Sequence, residues 1–172
     1  MNILIISLPR TGSTSLLYSI ANSKNLKPLF EPFDGTNRVT YEDDMENIVL
    51  KTIVDTQKPK NCDNYVDWVI NLSKSFDETI LLSRKDLKAC AESHSYSVHN
   101  RKKGFTSNDF YLWEPTPIDE LCYNNIIKWN EMINNLSNEL DIPITYYEDI
   151  YNPNDSSRLR KGNRNEFDKN II

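Results

Sequence analysis

The sequence predicts an α/β fold built around a parallel sheet, and two observations lead to this prediction. Short apolar segments, typical of buried strands, alternate along the chain with longer segments in which apolar residues recur at helical spacing. Two of the turns from strand to helix carry hydroxyl or basic side chains instead of further apolar ones. Such alternation is typical of a parallel sheet with helices on both faces, which is a three-layer sandwich.

The first half of the chain contains two strand–helix units. The apolar run from Ile3 to Leu8 predicts a strand over 2–7, and a short polar turn separates it from a helix over 13–23. A second strand over 48–53 and a second helix over 63–75 repeat the pattern.

The second half continues the alternation and ends on a strand. An apolar run predicts a strand over 79–83, and a helix over 85–98 follows it, with apolar residues at Leu87, Cys90 and Ala91. A long helix over 117–140 precedes the last strand, over 143–147. Five apolar residues of this helix recur at roughly helical spacing, which predicts a face packed in the core: Leu121, Ile126, Trp129, Ile133 and Leu136.

Length and composition indicate one domain. With 172 residues, of which 38% are hydrophobic, the chain is long enough to bury a hydrophobic core of ordinary size, and we expect one domain over residues 1–172. Within this domain, we expect the core to cover about residues 1–150 and a basic segment to follow over 151–172. Three cysteines lie far apart without CxxC spacing, which predicts free thiols rather than a disulfide framework or a zinc site (Cys62, Cys90 and Cys122).

The charge and hydropathy of the chain argue against two classes of partner. A net charge of −5 disfavours broad binding to nucleic acid, which usually requires a basic face. No apolar run approaches the roughly 18 residues of a membrane span, and the apolar start lacks the charged leader of a secretory signal. We therefore expect a cytoplasmic protein that binds neither nucleic acid nor membrane; its oligomeric state is left open.

The turn after the first strand has the composition of an anion site. The first N–H groups of a helix lack intrahelical partners and the helix dipole adds positive charge, so a phosphate or sulfate fits there. Gly12 allows the backbone to approach the anion closely, and Thr11, Ser13 and Thr14 offer hydroxyl groups. Arg10 adds a fixed charge that can bind two oxygens at once.

This turn lacks the signatures of the commoner phosphate loops. If Gly12 were the second glycine of GxxxxGK[ST], Ser7 would replace the first glycine and Ser13 the lysine. The phosphatase loop needs a cysteine shortly before the arginine, and none precedes Cys62. Residues 9–14 resemble instead the 5′-phosphosulfate loop of the sulfotransferases that use 3′-phosphoadenosine 5′-phosphosulfate (PAPS), in the form with arginine in place of lysine. The resemblance implies the P-loop NTPase-like sulfotransferase fold.

A second basic turn resembles the 3′-phosphate site of the same family, where an arginine at a strand end and a serine on the next helix hold the phosphate. The family's usual spacing from Ser93 points to Lys85, whereas Arg84 lies nine residues before this serine. Arg84 occupies the first position of a basic pair seen in bacterial relatives. We favour Arg84 with Ser93 as the phosphate pair and keep Lys85 as the alternative.

Two segments near the carboxyl end extend the resemblance. Residues 142–150 resemble the YEDL segment that ends the last core strand in many sulfotransferases. Residues 158–164 are similar to the basic loop that closes over the 3′-phosphate, although its second glycine is missing. The resemblance therefore implies roles in nucleotide binding for Arg160, Lys161 and Gly162; the alternative is a solvated, frayed tail.

An acceptor hydroxyl needs a general base. The cytosolic branch uses the histidine of a Lys-Thr-His segment, but Ile53 stands at that position, after Lys51. The carbohydrate branch and several bacterial members use a glutamate followed by proline, and Glu31-Pro32 matches this arrangement. Pro32 should hold Glu31 in an extended conformation, and the neighbouring phenylalanines should desolvate its carboxylate and raise its pKa. Glu31 is the predicted base, and Lys51 adds positive charge near the sulfuryl oxygens.

The segment over 98–117 mixes basic and aromatic residues without clear periodicity. We interpret it as an acceptor-binding lid, since long loops in compact domains are often functional; a single-stranded nucleic acid surface is the lesser alternative. His94 and His99, which flank this region, are interpreted as polar surface residues.

These resemblances together imply an enzyme that transfers a sulfuryl group from PAPS in line to a hydroxyl of a carbohydrate or other small acceptor, releasing 3′-phosphoadenosine 5′-phosphate (PAP). Neither a covalent intermediate nor a metal is expected. Fixed donors around the departing phosphate should supply most of the acceleration. Two alternatives stay open: a nucleotide-dependent kinase of a P-loop-like class, and a catalytically inactive domain that binds PAP or PAPS as an interaction module.

Overall fold

The predicted alternation of strands and helices is present in the computed structural model, which describes residues 1–33, 41–42, 44–56, 62–104 and 116–151. The described residues form five strands and five helices, in chain order β1 Ile3–Ser7, α1 Ser13–Lys24, β2 Lys27–Phe30, β3 Ile48–Ile53, α2 Tyr65–Ser73, β4 Glu78–Ser83, α3 Leu87–Lys102, α4 Glu120–Leu140, β5 Ile144–Tyr146 and α5 Tyr147–Ile150.

The five strands form one sheet in the order β2-β3-β1-β4-β5, and every neighbouring pair is parallel. All five residues of β1 are buried, as expected for a central strand covered on both faces. Ile5 of β1 pairs with Lys51 of β3 on one side and with Ile80 of β4 on the other. The α/β fold with a parallel sheet is therefore confirmed, and helices on both faces make it compatible with a three-layer sandwich.

Side chains of alternate strand residues enter two separate cores. Ile3 and Ile5 pack with Leu17 and Ala21 of α1 on one face of the sheet. The larger core on the opposite face contains Leu4 and Ile6 of β1 together with residues of α2, α3 and α4. Successive side chains of a strand point to opposite faces, so one apolar strand supplies both cores.

The cysteines behave as the sequence predicts. All three are free, and Cys90 and Cys122 are buried. The Cys90 thiol donates to the carbonyl of Pro9 at 3.2 Å, and burial raises the pKa of this thiol to about 12. Cys90 is therefore a neutral packing residue that fastens α3 to the end of β1.

The structure corrects several predicted boundaries. The edge strand β2 was not expected, and α3 begins at Leu87 because Asp86 caps it, its carboxylate accepting the Ala89 N–H at 2.8 Å. Likewise α4 begins at Glu120, after the capping residue Asp119. Leu121 was predicted to lie in the core but is 69% exposed, because it lies in the first turn of α4 and its neighbour Cys122 is buried instead.

The parallel arrangement brings the ends of all five strands to one border of the sheet, called the carboxyl edge below. Arg10, Glu31 and Asp55 follow β1, β2 and β3 there, and each has a left-handed backbone, with φ of 64°, 51° and 55°. Such conformations cost about 1–3 kcal/mol in residues other than glycine and cluster at functional sites. No helix in the described residues is long and apolar enough to cross a membrane.

The corrected register of α4 predicts different effects for two truncations on this helix. Ile126→Ala should lower the free energy of unfolding by about 2–5 kcal/mol, because Ile126 is fully buried. Leu121→Ala should change it by no more than about 0.5 kcal/mol, as exposed positions usually do. Urea denaturation measures both values, and equal losses in the two variants would contradict the register.

Candidate active site

The loop from β1 to α1 has the geometry of an anion site. Gly12 is the N-cap of α1, and it has no side chain with which to cap the first N–H groups. The first turn of α1 also contains no acidic residue. Helices α2, α3 and α4, in contrast, are capped by Asn64, Asp86 and Asp119. Uncapped N–H groups at the positive end of the helix dipole attract an anion.

Gly12 is required by its surroundings as well as by its backbone. Its φ is 70°, and a Cβ atom would lie 2.8 Å from the ring of Tyr151 and 3.1 Å from that of Tyr147. The Tyr151 hydroxyl donates to the Gly12 carbonyl at 3.2 Å, and the two rings lie 4.8 Å apart. The segment that resembles YEDL therefore packs directly on the anion loop. Sequence reasoning assigned no role to these tyrosines, although they lie in and beside that segment.

Lys51 lies on β3, next to the central strand β1, and is paired on two sides. Its side chain is 2% exposed and faces α1, where its ammonium donates to the Thr14 hydroxyl at 3.1 Å. The ammonium also forms an ion pair with the Glu31 carboxylate and lies 4.3 Å from the centre of the Phe30 ring. Burial lowers the pKa of Lys51, and the charge of Glu31 opposes this shift. A buried ammonium is tolerated only with such partners.

The expected extended backbone of Glu31 was wrong. Although a proline follows, the φ of Glu31 is 51°, in the left-handed region. Its N–H donates to the Lys51 carbonyl at 3.0 Å, so the backbone stays paired to β3 while the side chain turns to the Lys51 ammonium. These two contacts outweigh the ordinary preference of a residue before proline. Phe33 packs against Trp68 and Tyr41, at ring distances of 4.9 and 5.8 Å.

The two predicted anion turns adjoin each other. The Arg10 Nε donates to the Ser93 hydroxyl of α3 at 3.0 Å, and an Arg84 Nη1–H points to the Arg10 carbonyl at 3.5 Å. The Arg84 guanidinium lies 4.8 Å from the centre of the Tyr147 ring. Its Nε is buried without a hydrogen bond to any described residue, although Glu148 Oε1 lies at 3.5 Å. Arg84 therefore keeps a buried donor at the contact between the two turns.

Arg84 and its neighbour Lys85 have different surroundings. Lys85 is exposed and forms an ion pair with Asp149, and its side-chain hydrogen bond to Asp149 raises the pKa of the ammonium. The Lys85 backbone N–H donates to the Glu148 carboxylate at 2.9 Å. Of the two basic residues, Arg84 is thus the one whose side chain reaches the Arg10 loop.

Positive charge accumulates around Arg10. Within the described part of the chain, no carboxylate lies within ion-pair distance of Arg10. Its side chain keeps an exposed edge, yet partial desolvation lowers its pKa, and the charges of Arg101 and Arg84 lower it further. Sequence reasoning did not assign Arg101 to the site, because only the packing of α3 beside the loop brings this charge near Arg10.

His94 is not simply the surface residue that was expected. It is half-buried, and its ring packs edge-to-face on Trp129 at 5.7 Å. Burial lowers the pKa of His94, the charges of Arg10 and Arg101 lower it further, and Asp119 opposes them. The imidazole is therefore held neutral beside the arginines at neutral pH.

Two open cavities flank α3. One of about 430 Å³ is lined by Arg84, Lys85, Leu87, Asn130, Asn134 and Tyr146. The other, of about 520 Å³, is lined by Glu92, Ser93, Tyr96, Thr116, Pro117 and Ile118. Arg84 lines the first cavity and Ser93 the second, so the two members of the predicted phosphate pair border different cavities.

Several residues that were predicted to bind the nucleotide or the acceptor lie outside the described part of the chain. Arg160, Lys161 and Gly162 lie outside the described residues, as does much of the predicted lid, so their roles stay predictions. Among the described residues, no group of three or more His, Cys, Asp or Glu side chains is arranged to hold a metal ion.

Comparison of the chain with protein-family models, with curated proteins and with solved structures gives no match.

The close contact of Gly12 with the two tyrosines predicts a costly substitution. Gly12→Ala should lower the free energy of unfolding by about 2–4 kcal/mol, because backbone strain adds to the clash with the rings. Gly104→Ala is the matched control: its φ is also positive, at 87°, but a Cβ there meets no described atom within 4 Å. We expect this control to lose only about 1–2 kcal/mol. Urea denaturation compares the variants, and equal losses would contradict the packing of Tyr147 and Tyr151 on the loop.

The lowered pKa of His94 predicts a pH-dependent stability. Below its ordinary value of 6.5 the unfolded chain binds a proton that the folded protein resists, so stability falls as pH falls through that value. Replacing this side chain in His94→Gln should make the loss between about pH 7.5 and pH 5.5 smaller. His99→Gln, on the same helix, is the matched control. Urea denaturation at each pH measures the effect, and identical pH profiles for wild type and His94→Gln would contradict it.

Proposed function

We propose that this protein is a PAPS-dependent sulfotransferase with the P-loop NTPase-like sulfotransferase fold, which transfers a sulfuryl group to a hydroxyl of a carbohydrate or other small acceptor. The observation that carries the proposal is the meeting of two cationic turns. Arg10 from the end of β1 binds Ser93, and Arg84 from the end of β4 reaches the Arg10 carbonyl. One ligand with two separate anionic groups would satisfy both turns.

The two turns fit the two ends of a nucleoside 3′,5′-bisphosphate. The 5′-phosphosulfate would lie on the uncapped N–H groups at the start of α1, between the hydroxyls of Ser13 and Thr14. The 3′-phosphate would lie between Arg84 and Ser93, where the buried Arg84 Nε gains an acceptor. Because β1 and β4 are adjacent, about 4.8 Å apart, one nucleotide can bridge them. ATP and ADP lack the second anion in this position.

Lys51 and Glu31 lie on the other side of the α1 N-terminus, where the acceptor would bind. Lys51 contacts both Thr14 and Glu31, so it joins the anion loop to the predicted base. As negative charge develops on the bridging oxygen and the sulfuryl group, the ammonium is attracted toward them and away from the carboxylate. Glu31 then becomes a stronger base as the acceptor hydroxyl loses its proton.

The reaction balances with these residues alone. The sulfur–oxygen bond to the 5′-phosphate breaks while a bond forms between sulfur and the acceptor oxygen. The acceptor proton passes to the Glu31 carboxylate, and the bond electrons leave with PAP. Arg10 and the first N–H groups of α1 stabilise the charge that remains on its 5′-phosphate.

Donor choice and turnover test this proposal together. Calorimetry with PAP, ADP and ATP plus magnesium should give at least about tenfold tighter binding of PAP, because only PAP offers a 3′-phosphate to Arg84. Transfer of labelled sulfate from PAPS to a panel of sugars and small alcohols should then give product.

In Glu31→Gln, kcat should fall by about 100-fold or more while PAP affinity stays within about twofold. Glu78→Gln, an exposed residue at the opposite end of β4, is the matched control.

Each contrary outcome has its own meaning. Tighter binding of ATP with magnesium would replace the proposal with a kinase. Binding of PAP without transfer to any acceptor would make the chain a non-catalytic PAP-binding domain. Equal turnover of Glu31→Gln and Glu78→Gln would remove Glu31 from the role of base.

A further inference from the structure

A carboxylate that takes no part in the proposed reaction contacts the turn from β4 to α3. Oε2 of Glu148, in α5, accepts the backbone N–H of Lys85 at 2.9 Å, and Oε1 accepts that of Asp86 at 3.3 Å. Both N–H groups lie just before the first residue of α3. Glu148 therefore fixes the backbone of this turn, although it is distant from the turn in sequence.

The same carboxylate lies beside the Arg84 side chain. Oε1 of Glu148 is 3.5 Å from Arg84 Nε, which is within ion-pair distance. The centre of the Tyr147 ring lies 4.8 Å from the guanidinium carbon, and Arg84 Nη1 points to the Arg10 carbonyl at 3.5 Å. Three neighbours thus surround the guanidinium, and of these three only Glu148 carries the opposite charge.

The segment that contains Glu148 also contacts the anion loop. The hydroxyl of Tyr151 donates to the Gly12 carbonyl at 3.2 Å, and a Cβ atom on Gly12 would lie 3.1 Å from the Tyr147 ring. Helix α5 and the residue after it therefore pack against the turn that follows β1 as well as the turn that follows β4. The position of Glu148 is fixed by both turns.

Glu148 is charged at neutral pH. Burial alone would raise the pKa of its carboxyl group, but backbone hydrogen bonds, including those from Lys85 and Asp86, together with the charge of Arg84 outweigh burial and lower the pKa. A negative charge beside an anion site repels an anionic ligand, so the charge of Glu148 by itself disfavours binding. A favourable effect of Glu148 on binding must therefore come from the orientation that it gives to Arg84.

We propose that Glu148 is a positioning residue, which holds the Arg84 guanidinium toward the anion loop and so raises the affinity of the second turn for its anion. A long side chain loses rotational freedom when it binds a ligand, and this cost is smaller when a partner already fixes the side chain. The identity of the anion as the 3′-phosphate of PAP or PAPS rests on the proposed function. The orientation of Arg84 does not.

The next residue, Asp149, offers a matched control. It carries the same charge as Glu148, but its ion pair is with Lys85, and both of these side chains are more than half exposed. Glu148→Gln and Asp149→Asn each remove one negative charge from α5 and keep the size of the side chain. In Glu148→Gln, the remaining amide oxygen can still accept the Lys85 N–H, so the start of α3 keeps a partner.

Nitrogen-15 relaxation of the arginine Nε–H groups tests the positioning role without any ligand. The Arg84 signal is identified by its disappearance in Arg84→Gln. Its order parameter should be above about 0.8 in wild type and in Asp149→Asn, as in rigid parts of a protein, and below about 0.6 in Glu148→Gln. Equal order parameters in wild type and Glu148→Gln would overturn the proposal.

Calorimetry with PAP tests the consequence for binding. Glu148→Gln should weaken PAP binding by about five- to tenfold, because the ligand must then immobilise the Arg84 side chain itself. Asp149→Asn should stay within about twofold of wild type, because its ion pair is exposed. In an Arg84→Gln background, Glu148→Gln should change the affinity by less than about twofold, since Glu148 acts through Arg84.

Two results of the calorimetry would also overturn the proposal. Tighter PAP binding by Glu148→Gln would mean that repulsion of the ligand dominates, and an equal loss in both backgrounds would mean a merely structural role. If wild type binds PAP but transfers no sulfuryl group, the proposed function fails while the comparison of the two backgrounds still decides the role of Glu148. If wild type does not bind PAP, the proposed function fails and the order parameters alone decide whether Glu148 positions Arg84.

Discussion

Parallel pairing of β1 with both β3 and β4 is the constraint from which the site follows. Because the three strands run in one direction, the chain leaves each of them at the same edge of the sheet. Arg10 and Arg84 are 74 residues apart in sequence, yet they meet there within hydrogen-bond distance. All five residues of β1 are buried, as expected for a central strand that is covered on both faces. The sheet fixes the separation of these two cationic side chains.

The site is held at a cost that its own contacts offset. Lys51 is buried on β3 and is tolerated there because Glu31 and Thr14 bind its ammonium. Arg10 and Glu31 both adopt left-handed backbone conformations, which residues other than glycine rarely take. Local departures of this kind are expected at functional sites. Lys51 links Thr14 of the anion loop to the Glu31 carboxylate, and Arg10 of the same loop contacts Ser93 and Arg84.

The sequence predicts the helices and strands that bury apolar surface. It does not predict features whose position depends on contacts between elements that are distant in sequence. Long apolar runs located four of the five strands, but β2 was missed, because it is a short edge strand that begins with an exposed lysine, Lys27. Helical spacing alone assigned Leu121 to the core, although Leu121 lies in the first turn of α4 and is exposed. The anion loop could be predicted from its residue types, because the start of a helix after a strand presents free N–H groups that favour an anion. The Arg10–Ser93 contact and the Lys51–Glu31 ion pair depend on strand order and register, which no local pattern contains.

The most direct test of the central claim is a crystal structure of the protein with PAP bound. The account predicts the 5′-phosphate on the first N–H groups of α1 and the 3′-phosphate between Arg84 and Ser93, with one adenosine bridging the ends of β1 and β4. A structure in which PAP occupies another surface, or contacts only one of the two turns, would contradict the account.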